Sequence, residues 1–261
     1  MNDRRPIRNS ARTRPGLFRS DSTLHPNVDA NDIQQGALGD CWLLAAFGAL
    51  AAKKPVKLTA APKVNVADGT ATFTFYQNIS FTAAGQPITG PHDAITVTVP
   101  IVLNSGDRGA TPRWDYDAQG RYEAWVQVFE QAYAAYDRIG PKEGIENGYA
   151  VNAFRSMFAM KPSYSQPLFE DSWRRWIADS WTAGKAITLN TIQRSGKKDS
   201  VRYEDPRNAG QFVDLYFAHQ YAVLDYDAAR KQVLLYNPHG NSFWIDHAAL
   251  NDYFKGITTA R

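Results

Sequence analysis

The 261-residue chain contains one cysteine, Cys41. A disulfide within the chain needs two, and a cysteine-ligated zinc site needs more, so neither can staple the fold. Long apolar runs are missing as well. No stretch approaches the roughly 20 apolar residues of a membrane span, and the arginine-bearing N-terminus lacks the apolar core of a secretory signal. Net charge is small: 29 basic against 26 acidic side chains leave a formal +3. That is too little to make the whole chain a nucleic-acid binder by charge. The expected location is cytoplasmic, or outside by a non-classical export route. There is no internal repeat and no EF-hand loop.

What is present is a well-populated apolar set, 44% of residues, enough for one large domain or two small ones. The basic excess lies early, in Arg4, Arg5, Arg8, Arg12, Arg14 and Arg19, and residues 1–27 read as a disordered basic tail. From Cys41 to Ala52 the spacing predicts a buried helix that Pro55 ends. Thr70–Gln77 alternates as a strand. Ile95–Leu103 reads as an edge strand interrupted by Pro100, followed by a Gly-, Asp- and Pro-rich loop. Helices are predicted over Glu123–Tyr136, Ala150–Met160 and Leu168–Ala183, the last capped by Gly184. Strands follow over Ala186–Ile192, Phe212–Leu224 and Gln232–Tyr236, then a closing helix over His247–Phe254. Helices first and strands later predict an α+β fold. Its helical first half, 28–162, would meet a sheet-rich second half, 163–261.

Cys41 lies where a polar turn gives way to an apolar helix. The positive end of a helix dipole favours the nucleophilic thiolate there. A catalytic thiol also needs a histidine, a group to orient that histidine, and donors for an oxyanion. Of the five histidines, His25 lies in the tail, His92 in a Gly-Pro loop, His239 in a turn, and His247 reads as an exposed helix start. His219 stands in a strand-like segment. If Ala222–Asp225 and Val233–Tyr236 form a hairpin, Asn237 emerges near His219 and its carbonyl can hold the ring. Gln35 and the Cys41 backbone N–H are the candidate oxyanion donors.

These residues resemble the calpain-type cysteine protease core, a branch of the papain-like proteases. Gln35–Ala46 matches that family's Gln-Gly-x-Leu-Gly-Asp-Cys-Trp-Leu-Leu-Ala-Ala throughout. Phe73 and Phe75 resemble its Phe-x-Phe strand. Glu123-Ala124-Trp125 and Phe129-Glu130-Gln131-Ala132-Tyr133-Ala134 are similar to its Glu-Phe-Trp and Leu-Glu-Lys-Ala-Tyr-Ala helix. His219-Gln220-Tyr221-Ala222-Val223-Leu224 resembles His-Ala-Tyr-Ser-Val-Leu, and Asn237-Pro238-His239-Gly240 resembles Asn-Pro-Trp-Gly. The resemblance runs from about Asp32 to the C-terminus. It implies a papain-like two-subdomain core with Cys41 as nucleophile, His219 as general base and acid, Asn237 as orienting residue and Gln35 in the oxyanion hole. Gly39, Asp40, Trp42, Ala218 and His239 would line the substrate cleft. The implied activity is endoproteolysis through a thioester, with a protein or peptide as substrate.

Two departures stand out. His239 replaces the tryptophan that covers the family's Asn–His bond. Trp244 is an alternative cover, but its place in the closing strand reads as core. The other departure concerns calcium, which animal calpains bind in loops of the core. Here Thr98-Val99-Pro100-Ile101 lacks the acids of the corresponding strand, and Asp107, Asp115 and Asp117 read as a solvated loop, so no metal or other cofactor is expected. Two other functions share these features: an acyl transferase of transglutaminase-like chemistry, and a non-catalytic protease-like binding module.

Overall fold

The computed structural model describes residues 28–90, 93–101, 124–139, 145–194 and 199–261. The basic tail, His92, the loop holding Asp107, Asp115 and Asp117, and Glu123 lie outside them. A 3-10 turn, Ala30–Asp32, is closed by reciprocal bonds between Asp29 and Asp32. It leads through a loop into α1 (Cys41–Lys53). Every residue from Trp42 to Leu50 is buried, as expected of a helix that is apolar on all sides. The helix ends where expected: Lys54, the residue before Pro55, is non-helical, and Pro55 then opens a short helix, α2 (Pro55–Thr59), at the position where a missing N–H costs nothing.

Among the described residues the first half holds more helix than strand, with a sheet packed beside its helices. It contains a three-stranded antiparallel sheet of β1 (Pro62–Asn65), β2 (Thr70–Tyr76) and, beyond the small hairpin β3 (Ser80–Phe81) and β4 (Pro87–Ile88), β5 (Ala94–Pro100). Ala71, Phe73 and Phe75 of β2 point inward in strict alternation. β5 is an edge strand and finishes on Pro100, where no ladder donor is needed. Next come α3 (Trp125–Ile139) and α4 (Ala150–Ser156). Phe47 of α1 packs edge-on against Phe129 of α3 and against Phe158, with ring centroids at 5.6 and 6.0 Å.

The rest of the chain forms β6 (Pro162–Ser165), α5 (Glu170–Thr182), β7 (Ala186–Thr191), β8 (Ser200–Glu204), β9 (Phe212–Tyr216), β10 (Gln220–Asp227), β11 (Gln232–Asn237), β12 (Asn241–Asp246), α6 (His247–Tyr253) and β13 (Phe254–Ala260). Six of these strands build one antiparallel sheet in the order β12-β11-β10-β7-β13-β6, while β8 and β9 pair separately. The architecture is α+β. α1 lies on one face of the large sheet, so close that a Cβ on Gly48 would stand 3.0 Å from the Ala222 Cβ. The opposite face is covered by Trp173 and Ile177 of α5 and Leu250 of α6. No helix among the described residues is long and apolar enough to cross a membrane.

Three local expectations are corrected. The strand expected over Phe212–Leu224 is two strands, and His219 occupies the bend between them. His247 is buried, at 1% exposure, rather than exposed. Trp244 is not core: Phe243 and Ile245 point inward, and the Trp244 ring lies outside beneath the Arg207 guanidinium, 3.3 Å from its centroid.

Candidate active site

Cys41 is the first residue of α1 and is half-buried. The backbone N–H groups of Gln220, Trp42 and Cys41 itself all favour the thiolate, as a helix N-terminus should. They lose to a larger effect. Burial, reinforced by the neighbouring Asp40 charge, pushes the thiol up to about 11. The helix start favours the thiolate as expected, burial outweighs it, and the Gln220 N–H on the adjacent strand is the sulfur's partner.

Asp40, at the N-cap of α1, is completely buried, and its side chain makes no capping bond. It faces the buried carboxyl of Glu130 on α3. Two carboxyl groups can bond only if one carries a proton. Burial first, then the Glu130 contact, hold the Asp40 carboxyl well above the usual range.

His219 is nearly buried, at 8% exposure. Its ring Nε2 lies 2.9 Å from Asn237 Oδ1. The hairpin of β10 and β11, with Ala222 opposite Tyr236, brings the two together. The same Oδ1 accepts the His239 backbone N–H at 3.1 Å. A backbone N–H can only donate, so that Asn237 atom is the carbonyl oxygen, and the imidazole must present Nε2–H to it. Nδ1 then carries the lone pair. Burial is the main reason the ring stays neutral: it holds His219 down to about 4, with the Asn237 bond opposing and the His239 charge assisting. The His239 ring stacks parallel on His219, centroids 5.1 Å apart and planes within 6°. Tyr216 closes over both rings, at 5.8 and 5.2 Å. His239, not Trp244, covers the His219–Asn237 pair.

Gln35 is tied to the second half of the chain: its backbone N–H donates to Pro238 O at 2.7 Å. Its side-chain Nε2 donates to Leu38 O at 2.7 Å, which engages one of two amide hydrogens, and its Oε1 is buried without a partner among the described residues. Gly39 is exposed, and its carbonyl accepts the Asn147 N–H at 3.0 Å. Trp42 sits in the core rather than along an open surface. It is 3% exposed, donates to Ile145 O at 2.8 Å, and packs so tightly on Gly148 that a Cβ there would overlap its indole. Ala218 is exposed and holds a left-handed φ of 50° directly before His219. Thr191, Tyr216 and Gln220 carry no signal in the sequence, because strand register and the bend bring Thr191 and Tyr216 to His219 and Gln220 to Cys41.

Residues 2–252 match the profile of the calpain family of cysteine proteases. The chain belongs to that family. No curated protein sequence matches it.

Proposed function

We propose that this calpain-family protein is a cysteine endopeptidase acting through Cys41, His219 and Asn237, within a papain-like pair of subdomains spanning 28–162 and 163–261. The observation that carries the reading is the His219–Asn237 bond, which leaves imidazole Nδ1 as a base at the end of the hairpin whose Gln220 N–H holds the Cys41 sulfur. The reaction starts from a neutral thiol and a neutral imidazole. Nδ1 takes the thiol proton as sulfur attacks the peptide carbonyl carbon. The Cys41 N–H and the second Gln35 amide hydrogen stabilise the oxyanion. As the C–N bond breaks, the imidazolium returns its proton to the leaving amine. Water then attacks the thioester, giving its proton to Nδ1, and the C–S bond breaks to release the acid and restore the thiol.

Gly39, Asp40, Ala218 and His239 border the cleft in this reading, with Trp42 supporting it from beneath. The proposed activity needs no calcium or other cofactor, and the substrate is a protein or peptide rather than a nucleic acid. The test is casein cleavage by wild type and Cys41→Ala in reducing buffer, with calcium and with chelator. Cleavage that is lost in Cys41→Ala and kept in chelator is expected. Cleavage only with calcium overturns the calcium independence. An intact substrate under every condition favours the binding-module alternative, to which the raised thiol lends some support.

A further inference from the structure

His219 is held at two points, and Asn237 supplies only one of them. The register between β7 and β10 pairs Ala222 with Thr188, Tyr221 with Leu189 and Gln220 with Asn190. The next rung would pair His219 with Thr191. A regular hydrogen-bonded rung exchanges two backbone bonds. Only one forms here, from Thr191 N–H to His219 C=O at 3.0 Å. The other is replaced by a side chain. The His219 N–H donates to Thr191 Oγ1 at 2.8 Å, and the same hydroxyl donates to the His219 carbonyl at 3.0 Å.

The cause of the irregular rung is the preceding residue. Ala218 turns left-handed, and its N–H goes to Ile192 O at 3.0 Å, so the chain leaves the ladder one residue before His219. Thr191 is 1% exposed, and the site is closed to replacement by solvent. Without the hydroxyl, a buried backbone N–H would stand unpaired, a loss far less tolerable than that of an exposed bond. A ring fixed only at Nε2 can pivot about that contact. Fixing the backbone as well determines where Nδ1 points. Threonine suits the task because branching at Cβ restricts the rotation of its hydroxyl.

We propose that Thr191 is a positioning residue for the imidazole of His219, its hydroxyl standing in for the missing ladder carbonyl and fixing the direction of Nδ1. This rests on the reading of His219 as the general base.

The experiment compares wild type, Thr191→Val, Thr191→Ser and His219→Ala by 15N imidazole NMR, thermal melting and steady-state cleavage of a casein-derived peptide. Valine matches the shape and removes the hydroxyl. In wild type, the signal lost in His219→Ala is that of a single Nε2–H tautomer. Thr191→Val is expected to average that signal and to lower kcat about tenfold, the worth of one such bond, with KM nearly unchanged. Thr191→Ser is expected to restore both. A Thr191→Val protein with the wild-type imidazole spectrum overturns the proposal, as does a rate loss that appears only with loss of cooperative melting. Amide exchange in wild type needs no variant: a His219 N–H protected like its β10 neighbours supports the clamp, and an unprotected one overturns it. Failure of the underlying reading looks different, because His219→Ala would then still cleave while the Thr191 effect on the tautomer persists.

Discussion

His219 and Asn237 are eighteen positions apart in the chain, yet Nε2 and Oδ1 lie 2.9 Å apart, buried at the open end of the β10–β11 hairpin, away from its turn. One oxygen takes two donors, the His219 ring and the His239 backbone. Removing it in Asn237→Ala leaves both N–H groups short of an acceptor. Each such loss costs roughly 1–3 kcal/mol. The expected result is a fall in kcat of about ten- to a hundredfold, with KM within about twofold, read by steady-state peptide cleavage. Unchanged kcat would remove Asn237 from the machinery.

Much of this arrangement is legible in the sequence because it is local or periodic. The Gln35–Ala46 segment sets the thiol at a helix start, and the alternation of β10 and β11 fixes the hairpin that delivers Asn237. What escapes the sequence depends on contacts between distant segments. Trp244 reads as core until Arg207, far away in sequence, lies over its ring. The pull of the helix start toward the thiolate is legible, but the burial that outweighs it is not. The bend at His219 is hidden because alanine is an ordinary strand or helix residue, and only the fold forces Ala218 to a left-handed φ.

Ala218 gives a direct stability test. At φ 50° an L-residue with a Cβ bears about 1 kcal/mol of strain that glycine avoids, offset in part by glycine's greater freedom when unfolded. Ala218→Gly is therefore expected to be neutral or slightly stabilising. Ala218→Val, branched at Cβ, is expected to destabilise by about 1–2 kcal/mol. Urea denaturation midpoints check both. A valine variant as stable as wild type would argue against the left-handed backbone.

Asp40 should make stability depend on pH in the direction opposite to an ordinary salt-bridged carboxylate. Its folded pKa is raised by burial and then by Glu130. Between its unfolded value near 4 and the raised folded value, the folded chain holds a proton that the unfolded chain has released, so stability falls as pH rises through that window. Asp40→Asn removes the titration and keeps the shape. The variant should gain on wild type from about pH 4 upward, with the two converging at lower pH, as measured by urea midpoints across that range. A constant difference at all pH values would show that Asp40 does not titrate on unfolding.

His247 predicts the opposite slope at a place remote from the proposed chemistry. It opens α6, its ring stacks on Tyr226 at 5.5 Å with planes within 5°, and neither ring nitrogen has a hydrogen-bond partner among the described residues. Burial first, then the Arg174 and Lys231 charges, hold it down to about 4, against a smaller pull from Asp246. The unfolded chain takes up this proton near pH 6.5, the folded chain only near 4. Stability therefore drains away as pH falls through that interval and the loss levels off below it. The loss is on the order of 3 kcal/mol. His219, held low by its own burial, adds a second slope of the same sign. His247→Phe keeps an aromatic ring on Tyr226 and abolishes one titration. It should flatten the fall in melting temperature between pH 6.5 and 4 without affecting His219, whose imidazole signals in the same protein serve as the internal control. An undiminished acid slope in His247→Phe would mean that His247 is already free to take up its proton in the folded state.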